Sequence, residues 1–357
     1  MSLKPNKKTK TKMKTNTLKA AAAVGLSALL MGSASAQSSV SQPVGYETLN
    51  YTPGFNYLGL RLVEAPAATG ASVSAAGTVV TVADGVADSL IEGTAYLFEA
   101  TTGDAAGAIV SVTAFDAAAD TVTLADDISG DFEPGSEFII RPTDTLASVF
   151  GTANDVANDG NGLNSTGSFA TSDQVWLPDG AGGFEMFAFV QGSILFGTVS
   201  EWQDVDGNSV DAASVPLVYT DGVIINGVAQ GELVVSGSVK LEPVSFALTA
   251  PFNYLSSIFP AGNNLAESEL ETALLSTGSF ATSDQVWLPD GTGGFDMFAF
   301  VQGSILFGTT TGWQNVDGAT VDPTTISFDD NSGIIINRAG ATSRMVAFDS
   351  PDFYDTL

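Results

Sequence analysis

Short apolar runs separated by glycine and aspartate clusters recur along the chain. Two such runs, Gln174 to Leu177 and Phe184 to Val190, are joined by the hexapeptide PDGAGG. The Asp-Gly step and the glycines after it allow positive φ, so a β-hairpin is predicted here. Helical periodicity is limited to Leu265 to Leu275, with Asn264 as the N-cap, and to a short stretch from Leu146 to Phe150. The pattern predicts an all-β protein with little helix.

The strongest feature of the sequence is an internal repeat with a spacing of 111 residues. Ser165 to Thr198 recurs as Ser276 to Thr309, and 32 of the 34 positions are identical. The register continues without a gap to GVIIN at Gly222, which matches GIIIN at Gly333. Such a repeat indicates two copies of one folding unit. The strand pattern predicts that this unit is a β-sandwich-like module.

A second repeated motif indicates an insertion in the first copy. The motif FNYL begins at Phe55 and again at Phe252, but it precedes the repeat by 110 residues in the first copy and by 24 in the second. We therefore predict a first module at 37–65 and 143–250, an inserted small β-barrel or sandwich at 66–142, and a second module at 251–357. The insertion contains five strand-like runs, which are Thr78 to Val82, Ala95 to Phe98, Ala108 to Thr113, Thr121 to Leu124 and Glu137 to Ile140.

The N-terminus has the three parts of a signal peptide. A lysine-rich start leads into the apolar run Ala20 to Met31, and the stretch ending at Ala34-Ser35-Ala36 fits a cleavage site. The apolar run is shorter than the ~20 residues that a membrane-spanning helix needs. We expect residues 1–36 to be removed, which leaves no transmembrane anchor. The mature protein is then expected to be exported, to the extracellular space, the cell surface or the periplasm.

Removal of the signal peptide leaves a strongly acidic chain. Seven of the 12 basic residues lie in 1–36, so five remain against 40 acidic residues, a net charge of −35. Such a chain lacks the basic face that nucleic acids and anionic lipids require, so no nucleic-acid partner is expected. Solvation of the carboxylates in a salty exterior is favoured over specific Ca²⁺ sites.

The chain has no Cys and no His, which excludes disulfides, thiolate nucleophiles, Ser-His-Asp triads and Zn sites with those ligands. Carboxylate pairs remain, and Asp179 with Glu185, or Asp290 with Asp296, could serve a carbohydrate-active hydrolase or lyase. However, the exchange of Glu185 for Asp296 shortens one arm by about 1.5 Å, more than the ~0.5 Å that catalysis tolerates. No enzymatic activity is expected, and the hydrolase or lyase is the alternative.

Four tryptophans are candidate ligand-binding residues. Trp176 and Trp202, with their repeat equivalents Trp287 and Trp313, lie near glutamines and could stack on a ligand ring. Packing in half-buried positions is the competing interpretation. The aromatic strand from Phe184 to Phe189 and its repeat equivalent from Phe295 could also form a sugar-stacking platform, but the strand is apolar on both faces, which favours a strand covered on both sides.

One acidic loop imitates the start of a Ca²⁺-binding loop. Asp204, Asp206 and Asn208 alternate as the ligands of such loops do, but Ser209 and Val215 stand where Gly and Glu are needed. A hairpin turn explains the same residues. Ca²⁺ is therefore a candidate at this loop, and no other cofactor is expected.

Several motifs of the chain resemble those of an uncharacterised family of exported bacterial β-repeat proteins. The motifs are FNYL, DQVWLPDG followed by GGF, W-x-x-V-D-G and G-[VI]-I-I-N, with LADDIS and FIIRP in the insertion. The resemblance covers nearly all of the mature chain and implies the β-repeat architecture. It brings no activity, cofactor or catalytic residue. Tyr57 and Tyr254 stand where an aliphatic residue would be commoner.

Together these features predict a non-catalytic secreted or cell-envelope protein with a structural or adhesive role. A glycan or another extracellular polymer is the expected class of partner, because duplicated modules gain avidity when both engage one chain. The sequence leaves the ligand and the oligomeric state open.

Overall fold

The structure, a computed structural model, describes residues 43–151, 163–194, 197–249, 251–305, 308–328, 333–340, 342–351 and 354. Over these residues the protein is all-β, as predicted, with only two short α-helices. The predicted signal peptide at 1–36 lies outside them. No helix in the described ranges is long and apolar enough to cross a membrane.

The elements are numbered in chain order. The strands are Val44–Tyr51 (β1), Gly54–Gly59 (β2), Leu62–Val63 (β3), Ala68–Ala76 (β4), Val79–Val82 (β5), Tyr96–Ala100 (β6), Ile109–Asp116 (β7), Thr121–Leu124 (β8), Glu137–Pro142 (β9), Asp144–Thr145 (β10), Gln174–Pro178 (β11), Phe184–Ile194 (β12), Gly197–Asp204 (β13), Ser209–Val210 (β14), Pro216–Leu217 (β15), Gly222–Gly227 (β16), Gly231–Val239 (β17), Val244–Leu248 (β18), Phe252–Leu255 (β19), Gln285–Pro289 (β20), Phe295–Ile305 (β21), Gly308–Asn315 (β22), Ile334–Asn337 (β23) and Arg344–Phe348 (β24). The α-helices are Leu146–Phe150 (α1) and Leu270–Ala273 (α2), and single 3-10 turns are Ala87–Ser89, Phe169–Thr171, Ala212–Ser214, Phe280–Thr282 and Pro323–Thr325.

Two large sheets repeat one strand order. The sheet of the first copy runs β14-β13-β12-β11-β16-β2, and that of the second runs β22-β21-β20-β23-β19. The registers also correspond, because Trp176 lies opposite Ile224 in the first sheet and Trp287 lies opposite Ile335 in the second. The two copies of the repeat therefore have the same fold.

A smaller sheet covers each large sheet and completes a sandwich-like module. β1-β17-β3 covers the first large sheet, and β18-β24 covers the second. Cross-strand partners point to the same face of a sheet, so alternate residues of both sheets enter a shared core. The core residues include Leu49, Leu233, Val175 and Phe187 in the first copy and Val244, Phe348, Val286 and Phe298 in the second.

The second copy begins earlier in the chain than the predicted boundary at 251. β18 pairs along its whole length with β24, from Val244 opposite Phe348 to Leu248 opposite Arg344. It therefore has the place in the second copy that β1, paired with β17, has in the first. This equivalence is not visible in the sequence, because VSFAL of β18 does not resemble VGYETLNY of β1.

The insertion contains a closed six-stranded barrel in the order β4-β5-β8-β7-β6-β9. All five predicted runs form strands, β5 to β9. The remaining strand, β4, was not predicted, because its sequence ATGASVSAA has few of the β-branched and aromatic residues that favour strands. Pairing with β5 and β9 on either side fixes this strand in the barrel.

A buried ion cluster joins the barrel to the first module. Glu99 of β6 accepts hydrogen bonds from Arg141 Nε at 3.0 Å, Lys240 Nζ at 2.9 Å and the Tyr219 hydroxyl at 2.9 Å. Lys240 also lies 3.3 Å from Glu242. Glu99, Arg141 and Lys240 are each about 1% exposed. Removing one partner would leave a buried charge uncompensated, so the cluster fixes how these two parts dock.

The two helix predictions have different outcomes. α1 forms at the predicted residues, and Thr145 caps it by accepting from the Ser148 N–H. The predicted helix from Leu265 to Leu275 is wrong, because only the four residues of α2 are helical. Asn264 accepts from the N–H groups of Ala266 and Glu267 as an N-cap would, but the chain leaves the helical region at Glu269, where φ is +54°.

Candidate ligand-binding aromatic surface

Eight aromatic rings from both copies form one continuous row, which we call the aromatic band. Neighbouring ring centroids are 4.7 to 6.3 Å apart, within the range of favourable aromatic pairs. From one end to the other the rings are Phe55, Trp176, Phe184, Tyr254, Tyr57, Phe295, Trp287 and Phe252.

The two halves of the aromatic band are equivalent, because each contact between the copies occurs a second time with the roles of the two copies exchanged. Phe184 contacts Tyr254 of the other copy at 4.7 Å, and Phe295 contacts Tyr57 at 4.9 Å. In the centre, Tyr57 and Tyr254 stack with ring planes 9° apart. Such reciprocal contacts are those of an isologous interface, here within one chain.

Backbone contacts hold the two sheets together beside the central stack. The N–H of Gly333 donates to the Tyr57 carbonyl at 2.9 Å. A Cβ atom at Gly222 would lie 3.0 Å from the carbonyl oxygen of Leu255, closer than nearly all real Cβ contacts. The glycine that opens GVIIN therefore allows the backbones to approach, which brings the two tyrosines within stacking range.

Strand register places the rings of each half on one face of its sheet. In the first sheet Trp176 lies opposite Met186 and Ile224, and Ile224 lies opposite Tyr57. Phe55 is two residues before Tyr57 on β2 and therefore shares its face. The alternate residues enter the core, so this face is the outer one. We predicted that the strand from Phe184 is covered on both sides. Its face with Phe187 and Phe189 is buried in the core, whereas Phe184 and Met186 on the other face are only half-buried.

The aromatic band is partly open to solvent. Phe55 and Phe252 at its ends are 50% and 41% exposed, and the six inner rings are half-buried. Burial raises the pKa of the Tyr57 and Tyr254 hydroxyls above the ordinary value, so both rings stay neutral at physiological pH. The band is therefore an uncharged and partly exposed aromatic surface.

Side-chain hydrogen bonds fix the orientation of the two indoles. The Trp176 N–H donates to Gln174 Oε1 at 3.1 Å, and Asn226 donates to the same oxygen at 3.1 Å. The second copy repeats this arrangement with Trp287, Gln285 and Asn337. Because the rings are oriented before any ligand arrives, ordering them would cost little on binding.

A groove of about 820 Å³ adjoins the aromatic band at Phe55 and Tyr57. One wall comes from β2 of the first copy and carries Phe55 and Tyr57, and the other comes from the β20–β21 hairpin of the second copy. Asp290 and Asp296 of that hairpin also line the groove. The groove thus combines aromatic residues of the first copy with carboxylates of the second.

Of the four predicted stacking tryptophans, Trp176 and Trp287 lie in the aromatic band, whereas the prediction for Trp202 and Trp313 is wrong. These two side chains are 3% and 2% exposed and pack in the module cores. The Trp202 N–H donates to the Gly151 carbonyl at 3.0 Å, and the Trp313 N–H donates to Glu271 Oε2 at 3.1 Å. Neither indole presents a face to solvent.

The candidate Ca²⁺ loop is a hairpin turn held together by Asp204. Its Oδ1 accepts from the backbone N–H groups of Asp206 and Asn208, and its Oδ2 accepts from the Asn208 amide. The Asn208 hydrogen bonds lower the pKa of Asp204. No group of three or more acidic residues with metal-binding geometry occurs in the described part of the chain. The carboxylate oxygens of Asp204 serve the turn itself.

The candidate catalytic carboxylates have the same local role. Asp179 Oδ1 accepts from the N–H groups of Ala181 and Gly183, and Asp290 Oδ1 accepts from those of Thr292 and Gly294. These hydrogen bonds hold the pKa of both carboxyl groups below the usual value. A general acid for glycoside cleavage needs the opposite shift.

The cationic side chains of the described residues are buried or half-buried. Four cationic side chains are at most 7% exposed, and the fifth, Arg344, is half-buried. The four are Arg61, Arg141, Lys240 and Arg338. The carboxylates that line the groove therefore have no exposed cation of the described chain to neutralise them.

Four of the eight rings lie in features that the sequence offers as ligand-binding candidates, namely Trp176, Trp287 and the aromatic strands that begin at Phe184 and Phe295, but the band as a whole was not predicted. The alternation in FNYL was a usable signal, because it places Phe55 and Tyr57 on one face of a strand. The contacts between copies, such as Phe184 with Tyr254, depend on tertiary docking and have no signature in the sequence.

No family model, curated protein or solved structure matches the chain.

Proposed function

We propose that this protein is an exported, non-catalytic binding protein of the cell envelope or extracellular space that holds a glycan or similar polymer on the aromatic band. The observation that carries this proposal is the unbroken row of eight rings. Sugar rings have apolar faces that stack on aromatic side chains, and a polymer could contact several rings at once. We further propose that the chain belongs to the exported β-repeat proteins that its motifs resemble.

Three observations support binding rather than catalysis. The aromatic band is made from both copies of the repeat, which suits an extended ligand. The indoles are pre-oriented by Gln174 and Gln285. The carboxylates Asp179 and Asp290 have lowered pKa values, whereas a carbohydrate-active hydrolase or lyase would need an acid with a raised one.

Affinity electrophoresis in gels that contain soluble polysaccharides tests the proposal. The parent protein should be retarded by at least one polysaccharide. Trp176→Ala and Trp287→Ala should each weaken binding about tenfold, since loss of one aromatic contact of about 1.4 kcal/mol corresponds to that factor. The control is Val234→Ala on β17, an exposed apolar residue outside the aromatic band.

Two results would contradict the proposal. Unchanged retardation in both tryptophan variants, with unchanged unfolding curves, would show that the band is not the binding surface. Release of reducing ends by the parent protein, abolished by Asp179→Asn or Asp290→Asn, would establish the enzyme instead.

A further inference from the structure

The groove beside the aromatic band combines features that recognise a particular chemistry. Its wall on β2 carries the rings of Phe55 and Tyr57, and its wall on the β20–β21 hairpin carries the carboxylates of Asp290 and Asp296. Its volume of about 820 Å³ is within the range of ligand-binding clefts. Aromatic rings and exposed carboxylates together favour a ligand with flat apolar rings and positive charge.

The carboxylates of the groove stay available for such a ligand. Oδ1 of Asp290 accepts from the Thr292 and Gly294 N–H groups and from the Thr292 hydroxyl, and Oδ2 lies over Gly294, while the side chain as a whole is exposed. Asp296 lies opposite Leu288 in the β-ladder, on the sheet face away from Trp287 and Phe295, and its side chain is exposed where it lines the groove. With the cationic side chains of the described residues buried or half-buried elsewhere, a cation that enters the groove meets little competition.

We propose that the groove binds an amine-bearing sugar polymer, in which protonated amino groups meet Asp290 and Asp296 while sugar rings stack on Phe55 and Tyr57, the two members of the aromatic band that line the groove. This inference rests on the proposed function and narrows its ligand class. A lysine-rich peptide would satisfy the carboxylates but has no flat rings for the band. A neutral glycan would satisfy the band but not the two carboxylates.

Calorimetry with three hexasaccharides of the same β-1,4 linkage tests the inference. The probes are hexamers of glucosamine, of N-acetylglucosamine and of glucose, measured at pH 5.5, where the glucosamine amines are protonated. The glucosamine hexamer should bind at least tenfold more tightly than the other two. Its affinity should fall several-fold between 50 and 500 mM NaCl, because screening weakens exposed charge contacts.

The variant Asp290→Asn/Asp296→Asn separates charge from structure. An asparagine at 290 keeps a carbonyl oxygen that can accept from the hairpin N–H groups, as Asn315 does in another turn of this chain. The double variant should lose at least tenfold in affinity for the glucosamine hexamer and keep the parent affinity for the glucose hexamer. Asp317→Asn, at an exposed turn outside the groove, is the control and should change neither.

Each contrary outcome has a distinct meaning. Equal affinities for the three hexamers, unaffected by the double variant, would overturn the amine preference and leave the proposed glycan-binding function in place. Oligolysine that binds as tightly as the glucosamine hexamer would overturn the sugar class. Failure of all three hexamers to bind would overturn this inference, and the polysaccharide panel above would then decide on the broader function.

Discussion

Two buried aspartates at equivalent positions allow a matched test of how hydrogen-bond number sets stability. Asp173 and Asp284 are each 1% exposed and lie directly before β11 and β20. Asp173 accepts four hydrogen bonds, from the Tyr51 hydroxyl at 2.6 Å, the Asn164 N–H at 2.6 Å, the Asn164 amide at 2.9 Å and the Val228 N–H at 2.6 Å. Asp284 accepts from the N–H groups of Leu275 and Ala339.

Replacing either aspartate by asparagine should destabilise the protein, but by different amounts. An amide nitrogen can replace only one oxygen, so each variant leaves at least one partly buried N–H without an acceptor, at about 1–3 kcal/mol. The remaining bonds lose their charge assistance, at about 1 kcal/mol each. Three bonds are weakened at Asp173 and one at Asp284. Asp173→Asn should therefore cost about 2 kcal/mol more than Asp284→Asn.

Denaturant unfolding followed by tryptophan fluorescence measures this difference, with the slope of the transition checked for constancy. Tyr51→Phe provides the internal control, because the equivalent residue in the second copy is Leu248, which has no hydroxyl. In the Tyr51→Phe background the cost of Asp173→Asn should fall by about 1 kcal/mol. An Asp284→Asn variant as unstable as Asp173→Asn would refute the reasoning that the number of donors sets the cost.

Three further predictions concern pH, cations and the buried indoles. Burial raises the pKa of Asp144 and of Asp221 to about 6, so their contribution to stability is present below pH 4 and is lost as the pH rises through 6. At pH 7.5, Asp144→Asn or Asp221→Asn should raise the free energy of unfolding by up to about 3 kcal/mol, and the melting temperature with it. At pH 4 neither variant should gain stability. Because the oxygens of Asp204 serve its own turn, CaCl₂ and NaCl at equal ionic strength should raise the melting temperature equally, and a steep rise with sub-millimolar Ca²⁺ alone would contradict this. Trp202→Phe should lower stability by about 1–3 kcal/mol, because the Gly151 carbonyl loses its donor, and should leave polysaccharide retardation at the parent level, whereas Trp176→Ala should reduce retardation.

Local signals in the sequence were sufficient for the hairpins and for the barrel strands with β-branched residues. The PDG turn between β11 and β12 was predicted correctly because Asp179 and the following glycines determine it locally. β4 escaped prediction because only its neighbours in the barrel make ATGASVSAA a strand. The helix predicted from Leu265 failed because periodicity does not report the backbone reversal at Glu269.

The candidate site was less accessible to sequence reasoning than the fold. Each of the four tryptophans has polar neighbours in sequence, yet Trp176 lies on an outer sheet face and Trp202 in a core. The difference arises because β11 presents Trp176 on the face away from the covering sheet, whereas Trp202 of β13 points towards α1 and Phe150. Strand pattern alone does not tell which face the second sheet covers.

Because of the reciprocal contacts around Tyr57 and Tyr254, the aromatic band has the same order of rings in both directions. A linear molecule with chemically different ends would meet the same order of rings whichever end arrived first. Two bound orientations of nearly equal energy make association more favourable by about RT ln 2, or roughly 0.4 kcal/mol. The differences between the two hairpins, Ala181 against Thr292 and Glu185 against Asp296, are then the features within the repeat that could favour one direction of the chain over the other.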